Sequence, residues 1–236
     1  MPAVILVTGA NRGLGLEFVK QYAEAGWQVI ACARDLPGAM ALRELAAAHA
    51  NISLESLDVG SLEQINDLAA RLAGQPIDVL LNNAGWLGDR HKQSLTELDY
   101  ATFEEVLRIN TYAPLAMARA FMPHVLAGTQ KKIVVITSGL SSLTNTARFG
   151  NLYFYRLSKA AVNMAMRTLQ AEVRGQGIKV GILAPGMVDT RLLRSSGYEG
   201  PGVIDALQSV TAVMRHIEAL TQEAEMTLYT GEKLPW

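Results

Sequence analysis

Cysteine is almost absent from the chain. Cys32 is the only one in 236 residues, so no disulfide can form within the chain. That pattern suits a reducing compartment, and Cys32 itself reads as a small core residue in a strand. An excess of either charge is missing as well. The 21 basic and 22 acidic residues leave a net charge of −1, which offers no bulk attraction to nucleic acid or anionic lipid, though a local basic pocket is still compatible with it. Long apolar runs are missing too: Ala3–Val7 and Ile133–Ile136 fall far short of the roughly 20 residues a spanning helix needs. No charged-then-apolar leader opens the chain, and no internal repeat, low-complexity tract or linker interrupts it. The expectation is a cytoplasmic protein with neither membrane nor nucleic-acid partners and no metal.

Half of the residues are hydrophobic and 18% are charged, the balance of a globular α/β protein with a large core. The length suits one domain over residues 1–236. Short segments rich in β-branched residues occur at Ala3–Thr8, Gln28–Ala33, Ile52–Leu57, Ile77–Asn82, Ile133–Thr137 and Ile178–Leu183, with a last one near Met226–Tyr229. Helical patterns lie between them at Gly13–Ala25, Ala39–Ala50, Ser61–Ala73, Thr102–Leu126 and Tyr155–Gly175. Leu207, Val210, Met214, Ile217 and Leu220 form one further core-facing stripe. Strands that alternate with helices build βαβ units. The predicted fold is therefore α/β, a Rossmann-type doubly wound parallel sheet of about seven strands with helices on both faces. Residues 187–202, which include the glycine-rich SSGYEGPG, read as a mobile substrate loop after a strand end.

The first strand runs into Thr8-Gly9-Ala10-Asn11-Arg12-Gly13-Leu14-Gly15 and then a helix. Glycines at such a turn let backbone approach a pyrophosphate, and the helix N-terminus offers free N–H groups and the positive end of its dipole. The spacing is G-x-x-x-G-x-G rather than the commoner G-x-G-x-x-G, and any tight strand–helix turn can use glycine. Its place after the first strand of a βαβ series favours a nucleotide role. The second strand ends at Ala33, where an acidic residue would grip the ribose hydroxyls of NAD. Arg34 follows, and Arg12 lies in the glycine turn; guanidiniums suit the 2′-phosphate of NADP. Asp35 argues the other way, but it lies two residues beyond the strand. NADP(H) is thus preferred over NAD(H). Asp58-Val59, after the third strand, either approaches the adenine or caps the next helix.

Tyr155 and Lys159 stand one helical turn apart on one face. A phenol ionises near pH ~10, and a neighbouring ammonium would lower that value toward use as a general acid or base. An exposed pair of surface side chains would show the same spacing. Ser138 ends a strand 17 positions before Tyr155, where a hydroxyl can donate to a developing alkoxide; Ser141 and Ser142 compete with it. Asn110 precedes Pro114 by four residues, so its carbonyl loses a helical partner and the helix should kink. That feature is either a packing kink or a water site leading toward Lys159. Asn82-Asn83-Ala84-Gly85 and Pro185-Gly186-Met187-Val188-Asp189-Thr190 end two further strands, and each reads as turn chemistry or as a cofactor contact.

Taken together, TGANRGLG at 8–15, NNAG at 82–85, Asn110, Ser138, YRLSK at 155–159 and PGMVDT at 185–190 resemble the short-chain dehydrogenase/reductase superfamily in order and approximate spacing across nearly the whole chain. NLYFYRLSKAAVNM and the ending GEKLPW resemble its C-factor-like and carbonyl-reductase-like branch. The resemblance implies hydride transfer between nicotinamide and a carbonyl or secondary alcohol. It makes Tyr155 the proton donor or acceptor and Ser138 the holder of the substrate oxygen. Lys159 binds the nicotinamide ribose and acidifies Tyr155, and Asn110 holds a relay water. It further implies cofactor contacts from Gly9, Asn11, Arg12, Gly13, Leu14, Gly15, Arg34, Asp58, Val59, Asn83, Ala84, Gly85, Pro185, Gly186, Val188 and Thr190, with Thr190 near the carboxamide. The Ser138-to-Tyr155 interval exceeds the family's usual one, which keeps Ser142 as an alternative. The expected partners are a small, fairly apolar carbonyl or alcohol substrate and a second copy of the chain, as a homodimer or homotetramer through the two long helices. The other function class is a non-catalytic NAD(P)-binding sensor on the same scaffold.

Overall fold

A run of β-branched residues has nowhere to put its backbone polar groups except into a sheet, and seven such runs do so here. The computed structural model describes residues 2–148, 150–223 and 225–236. Its central strands are β1 (Val4–Thr8), β2 (Gln28–Ala33), β3 (Ile52–Ser56), β4 (Val79–Asn82), β5 (Lys132–Ile136), β6 (Lys179–Ala184) and β7 (Met226–Leu228). They lie in the order β7-β6-β5-β4-β1-β2-β3, all parallel. The chain moves outward from β1 to β3, then crosses to the other side of β1 to place β4. The carboxyl ends of β1 and β4 therefore flank the switch point at which such sheets form their crevice.

The sheet is buried on both faces, as the uninterrupted apolar strands require. Alternate residues of each strand serve opposite cores. On one face Leu6, Leu80, Ile133 and Val135 pack under helices α3 (Leu62–Arg71), α5 (Ala113–Ala127) and α6 (Tyr153–Val173), through side chains such as Leu68, Phe121 and Met166. On the other, Ile5, Val7, Leu81 and Val134 meet α1 (Gly13–Glu24), α2 (Met40–Ala48) and α8 (Ala206–Glu218). In α8 the stripe differs from expectation at its first member. Leu207 is exposed and Val213 takes the core position, because the helix starts at Ala206 behind its Asp205 cap and turns Leu207 outward.

The long helix expected over 102–126 is broken. Helix α4 (Tyr100–Leu107) leads into a wide π turn, Arg108–Tyr112, before α5. Pro114 has no N–H to give the Asn110 carbonyl, and the Ala113 N–H bonds instead to the Arg108 carbonyl five residues back. The kink predicted from Pro114 thus takes the form of a π turn that carries Asn110.

One buried carboxylate ties the amino ends of three segments together. Asp78 accepts from Val4 N at 2.8 Å, Thr129 N at 2.8 Å, Thr129 Oγ1 at 2.7 Å and Gln130 N at 3.1 Å. Burial pushes its pKa up, but these hydrogen bonds outweigh burial and hold it below the usual value. Asp78→Ala strands those donors and is expected to cost about 3 kcal/mol in urea unfolding. Because the folded-state pKa is depressed, the carboxylate's contribution is present above the unfolded-state pKa and is lost as the pH falls through the folded one. The Asp78→Ala variant should therefore lose less stability between neutral and acid pH than the wild type.

Candidate active site

The glycine turn is built by close approach. Gly9 has φ +67°, and a Cβ there would come within 2.9 Å of Ala84 Cα. A Cβ on Gly15 would overlap the Gly9 carbonyl and lie 2.6 Å from Asn83 Nδ2. Thr8 Oγ1 accepts from the backbone N–H groups of Asn83 and Ala84, each at 3.0 Å. Asn83 Nδ2 donates to the carbonyls of Thr8 at 2.9 Å and Gly9 at 3.3 Å. The Asn83 side-chain amide therefore braces the turn. With Gly9, Gly13 and Gly15 in place, the turn is open where side chains would stand, and no side chain caps the first turn of α1. Its first N–H groups are available to a phosphate.

Thr190 reaches the same place from the far side. A Cβ on Gly13 (φ +53°) would sit 3.3 Å from Thr190 Cγ2. Pro185 and Gly186 make the bend after β6: the Pro185 carbonyl accepts from Ser209 Oγ at 2.7 Å, and Gly186 takes φ +86° against the Tyr229 ring. Val188 pairs with Ile204 in a two-residue parallel bridge, which closes the loop expected over 187–202. Within that loop lies α7 (Arg191–Ser196), where the Thr190 hydroxyl accepts from Leu193 N at 3.4 Å as the helix cap.

Beyond β2, Ala10 N bonds to the Cys32 carbonyl at 2.9 Å, which ties the glycine turn to the end of that strand. Arg12 and Arg34 are exposed, and neither guanidinium has a partner among the described residues. Asp35 turns its carboxylate onto its own loop, where it accepts from Gly38 N at 3.1 Å. Asp58 accepts from Gly60 N at 2.9 Å, while Ser61 caps α3 by accepting from Gln64 N. The capping role considered for Asp58 thus belongs to Ser61, and Val59 is half-buried against the core.

The chemical groups gather at the carboxyl ends of β4 and β5. Tyr155 and Lys159 are both buried on α6, with the Lys159 ammonium 5.8 Å from the Tyr155 ring centroid. The ammonium donates to the Ile136 carbonyl at 2.9 Å. Gly85 lies between the ammonium and Asn110: a Cβ built there would be in ordinary contact, at 3.5 Å, with both Lys159 Nζ and Asn110 Oδ1. Asn110 Oδ1 accepts from Trp86 N at 2.8 Å, and its Nδ2 donates to Trp86 O at 2.8 Å and Ser158 Oγ at 2.9 Å. Its side chain is therefore a clamp between the loop after β4 and α6.

Burial pushes the Tyr155 phenol up to about 12, against a lowering by its side-chain hydrogen bond with Ser138. Burial also brings Lys159 down to about 8. The expected acidification of Tyr155 by Lys159 is absent in this structure: desolvation raises the phenol, Ser138 supplies the lowering, and the Lys159 ammonium is engaged with a backbone carbonyl. Of the competing serines, Ser138 is half-exposed, its hydroxyl accepts from Leu140 N at 3.2 Å, and it is the one that lowers the Tyr155 pKa. Ser141 is buried and donates to Ser138 O at 2.6 Å, and Ser142 is buried and accepts from Asn145 N at 3.2 Å. Leu87 and Leu152 pack with Tyr155 as a small apolar cluster, against which Leu140 and Leu192 rest.

Three supporting residues were not visible as such in the sequence. Ser158 links Asn110 to the Tyr155 carbonyl. Asn163 joins Thr137 Oγ1 at 2.6 Å to Ser141 Oγ at 2.8 Å. Gln93 is wholly buried beside the start of α6. The lone hint was an amide or hydroxyl at a core-facing position, which periodicity reads as noise.

A model of the family described as short chain dehydrogenase matches residues 3–199. The chain belongs to that family. It is accordingly an oxidoreductase acting on CH–OH or C=O groups. The chain is 33% identical to "C-signal" of Myxococcus xanthus over 171 residues, 71% of this chain and 98% of that protein. It is 34% identical to 1-hydroxy-2-glutathionyl-2-methyl-3-butene dehydrogenase of Rhodococcus sp. over 227 residues, 94% and 93% of the two chains. Among solved structures, the NADPH-bound carbonyl reductase from chicken fatty liver superposes with a TM-score of 0.91 at 29% identity, covering all of both chains. The carbonyl reductase Sniffer of D. melanogaster gives 0.88 at 28%, also over all of both.

Proposed function

We propose that residues 1–236 act as one NADP(H)-dependent carbonyl reductase unit in which Tyr155 is the general acid. The observation that carries this reading is the buried Tyr155 on the same face of α6 as the buried Lys159, whose ammonium lies 5.8 Å from its ring centroid. The open glycine cradle at Gly9, Gly13 and Gly15, the uncapped α1 and the unpartnered Arg12 and Arg34 fit a dinucleotide with a 2′-phosphate. The NADPH carried by the chicken reductase supports the same choice. When bound, the dinucleotide supplies hydride to the substrate carbon, or removes it in the reverse direction.

The chain's own part is to place and discharge a proton. With a pKa near 12, Tyr155 is a phenol at neutral pH and so is set to donate to the substrate oxygen as that oxygen gains charge. Ser138 holds the same oxygen. Lys159 spends one of its three protons on Ile136 O, which leaves two for ribose hydroxyls. Asn110, by fixing the Trp86 backbone, keeps the loop after β4 in place, and Thr190 borders the nicotinamide side of the glycine turn. Leu87, Leu140 and Leu192 around the phenol favour a modest, apolar carbonyl compound.

The test is NADPH consumption against a panel of small aldehydes and ketones, with expected turnover of at least one apolar member. The same assay carries a pH prediction. Because kcat/KM for NADPH reports the free enzyme, its alkaline limb should fall near pH 8, where buried Lys159 loses its charge. A limb near the phenol's value instead would remove Lys159 from cofactor binding.

A further inference from the structure

Helix α6 carries Tyr155 in its first turn, at the third helical position. The leading N–H groups of a helix have no partner within it, and a Ser, Thr, Asp or Asn at the cap normally takes one of them. The cap here is Leu152, in a left-handed conformation at φ 55°, and it supplies no side-chain bond. Gln93 does so from elsewhere: its Oε1 accepts from Tyr155 N at 3.2 Å. Its Nε2 donates to Leu87 O at 2.9 Å and Asp89 O at 3.2 Å. The glutamine is 0% exposed, so each of these bonds replaces one that water cannot make. Gly88, between the two accepting residues, has φ +80°, and a Cβ there would stand 3.1 Å from Gln93 Nε2 and 2.8 Å from Val106. Only a glycine lets this loop close over the amide.

The two ends of that amide serve different things. One end fixes the backbone of the proton donor. The other fixes the loop at 87–89, whose Leu87 packs with the Tyr155 ring. We propose that Gln93 is a positioning residue that couples the wall of the carbonyl site to the proton donor, holding the Tyr155 backbone with its oxygen and the 87–89 loop with its nitrogen. This rests on Tyr155 being the general acid.

Two variants separate the halves. Gln93→Met keeps the volume and loses every polar bond; Gln93→Glu keeps an acceptor for Tyr155 N and loses the paired donation to Leu87 and Asp89. Gln93→Met should lower kcat by about tenfold or more, as small misplacements of a reacting group do, while NADPH binding, followed by fluorescence titration, stays within about twofold. In Gln93→Glu the larger change should be a raised KM for the carbonyl substrate, with kcat nearer to wild type. Hydrogen exchange gives a readout free of turnover: the Tyr155 amide should exchange much faster in Gln93→Met than in the wild type, while amides later in α6 keep their protection.

The idea is overturned by an unchanged kcat and an unchanged Tyr155 amide in Gln93→Met. A uniform loss of cofactor binding and protection along α6 also overturns it, since that marks a purely structural residue. If Gln93→Met does not fold, Gln93→Glu decides: wild-type KM and kcat together reject the coupling. Failure of the Tyr155 assignment is recognised separately, by a Tyr155→Phe variant that keeps its turnover.

Discussion

Tyr155→Phe is expected to lower kcat/KM for carbonyl reduction by about a thousandfold, within the range general acid catalysis supplies. The ring stays in its apolar cluster with Leu87 and Leu152, so the substitution removes one oxygen and little packing. NADPH binding should therefore change by less than about twofold. The size of the loss follows from the site's dryness. Tyr155 is 6% exposed, so water is poorly placed to replace the missing donor. The high phenol pKa adds a directional prediction. A protonated phenol near pH 7 favours donation, so reduction should run well at neutral pH, whereas alcohol oxidation at saturating cofactor should be slow there, because the phenol must first lose its proton. Stopped-flow absorbance at 340 nm with wild type and variant reads both effects.

The second large effect concerns the adenosine phosphate. Arg34→Ala should weaken NADPH by about tenfold and leave NADH within about twofold, because an exposed guanidinium bound to phosphate is partly screened by solvent. The double variant Arg12→Ala/Arg34→Ala should lose about a hundredfold if the two contributions add. Raising the salt should shrink the wild type's preference for NADPH, since the interaction is solvent-exposed. Isothermal titration with both cofactors is the measurement; equal losses for NADPH and NADH would remove the phosphate role from these arginines. The bond from Asp35 to Gly38 N bears on the same choice. A carboxylate committed to its own turn repels the 2′-phosphate less than one aimed at the ribose, so Asp35→Ala should improve NADPH binding little.

The sheet was legible because its signal is dense. Seven apolar β-branched runs with helical patterns between them leave few other topologies, and the β2 bounds expected from composition, Gln28–Ala33, match the structure. The glycine turn was legible for a related reason. Gly9 and Gly15 stand where any Cβ would strike backbone or the Asn83 side chain, and such positions leave their mark in the residue type itself. The polar interior was far less readable. Asn83 and Asn110 stood out in the sequence, but not the partners of their amides, which are backbone carbonyls and N–H groups of neighbouring segments. Which way an amide faces depends on partners tens of residues away, and no local pattern encodes it. Gln93 was overlooked for the same reason: it sits among the charged and polar residues of 89–99, yet it is fully enclosed.

The balance at Tyr155 was also beyond sequence reasoning. One turn of helix guarantees that Lys159 is near, and proximity alone predicts a more acidic phenol. The outcome depends on how much water both groups lose, and here burial dominates each of them. The free protein thus holds its proton firmly. The acidifying charge would have to act through the bound dinucleotide and substrate, as Lys159 releases Ile136 O or shares its remaining protons.

The most direct test of the account follows one atom. NADPH deuterated at C4, prepared separately on each face of the ring, is given in a single turnover to the protein with a small apolar ketone, and the product is weighed by mass spectrometry. The account predicts an alcohol one mass unit heavier from one of the two faces with the wild type, and almost none with Tyr155→Phe. Tight NADPH binding with no labelled alcohol from any carbonyl offered would contradict it and mark the protein as a nucleotide-binding sensor.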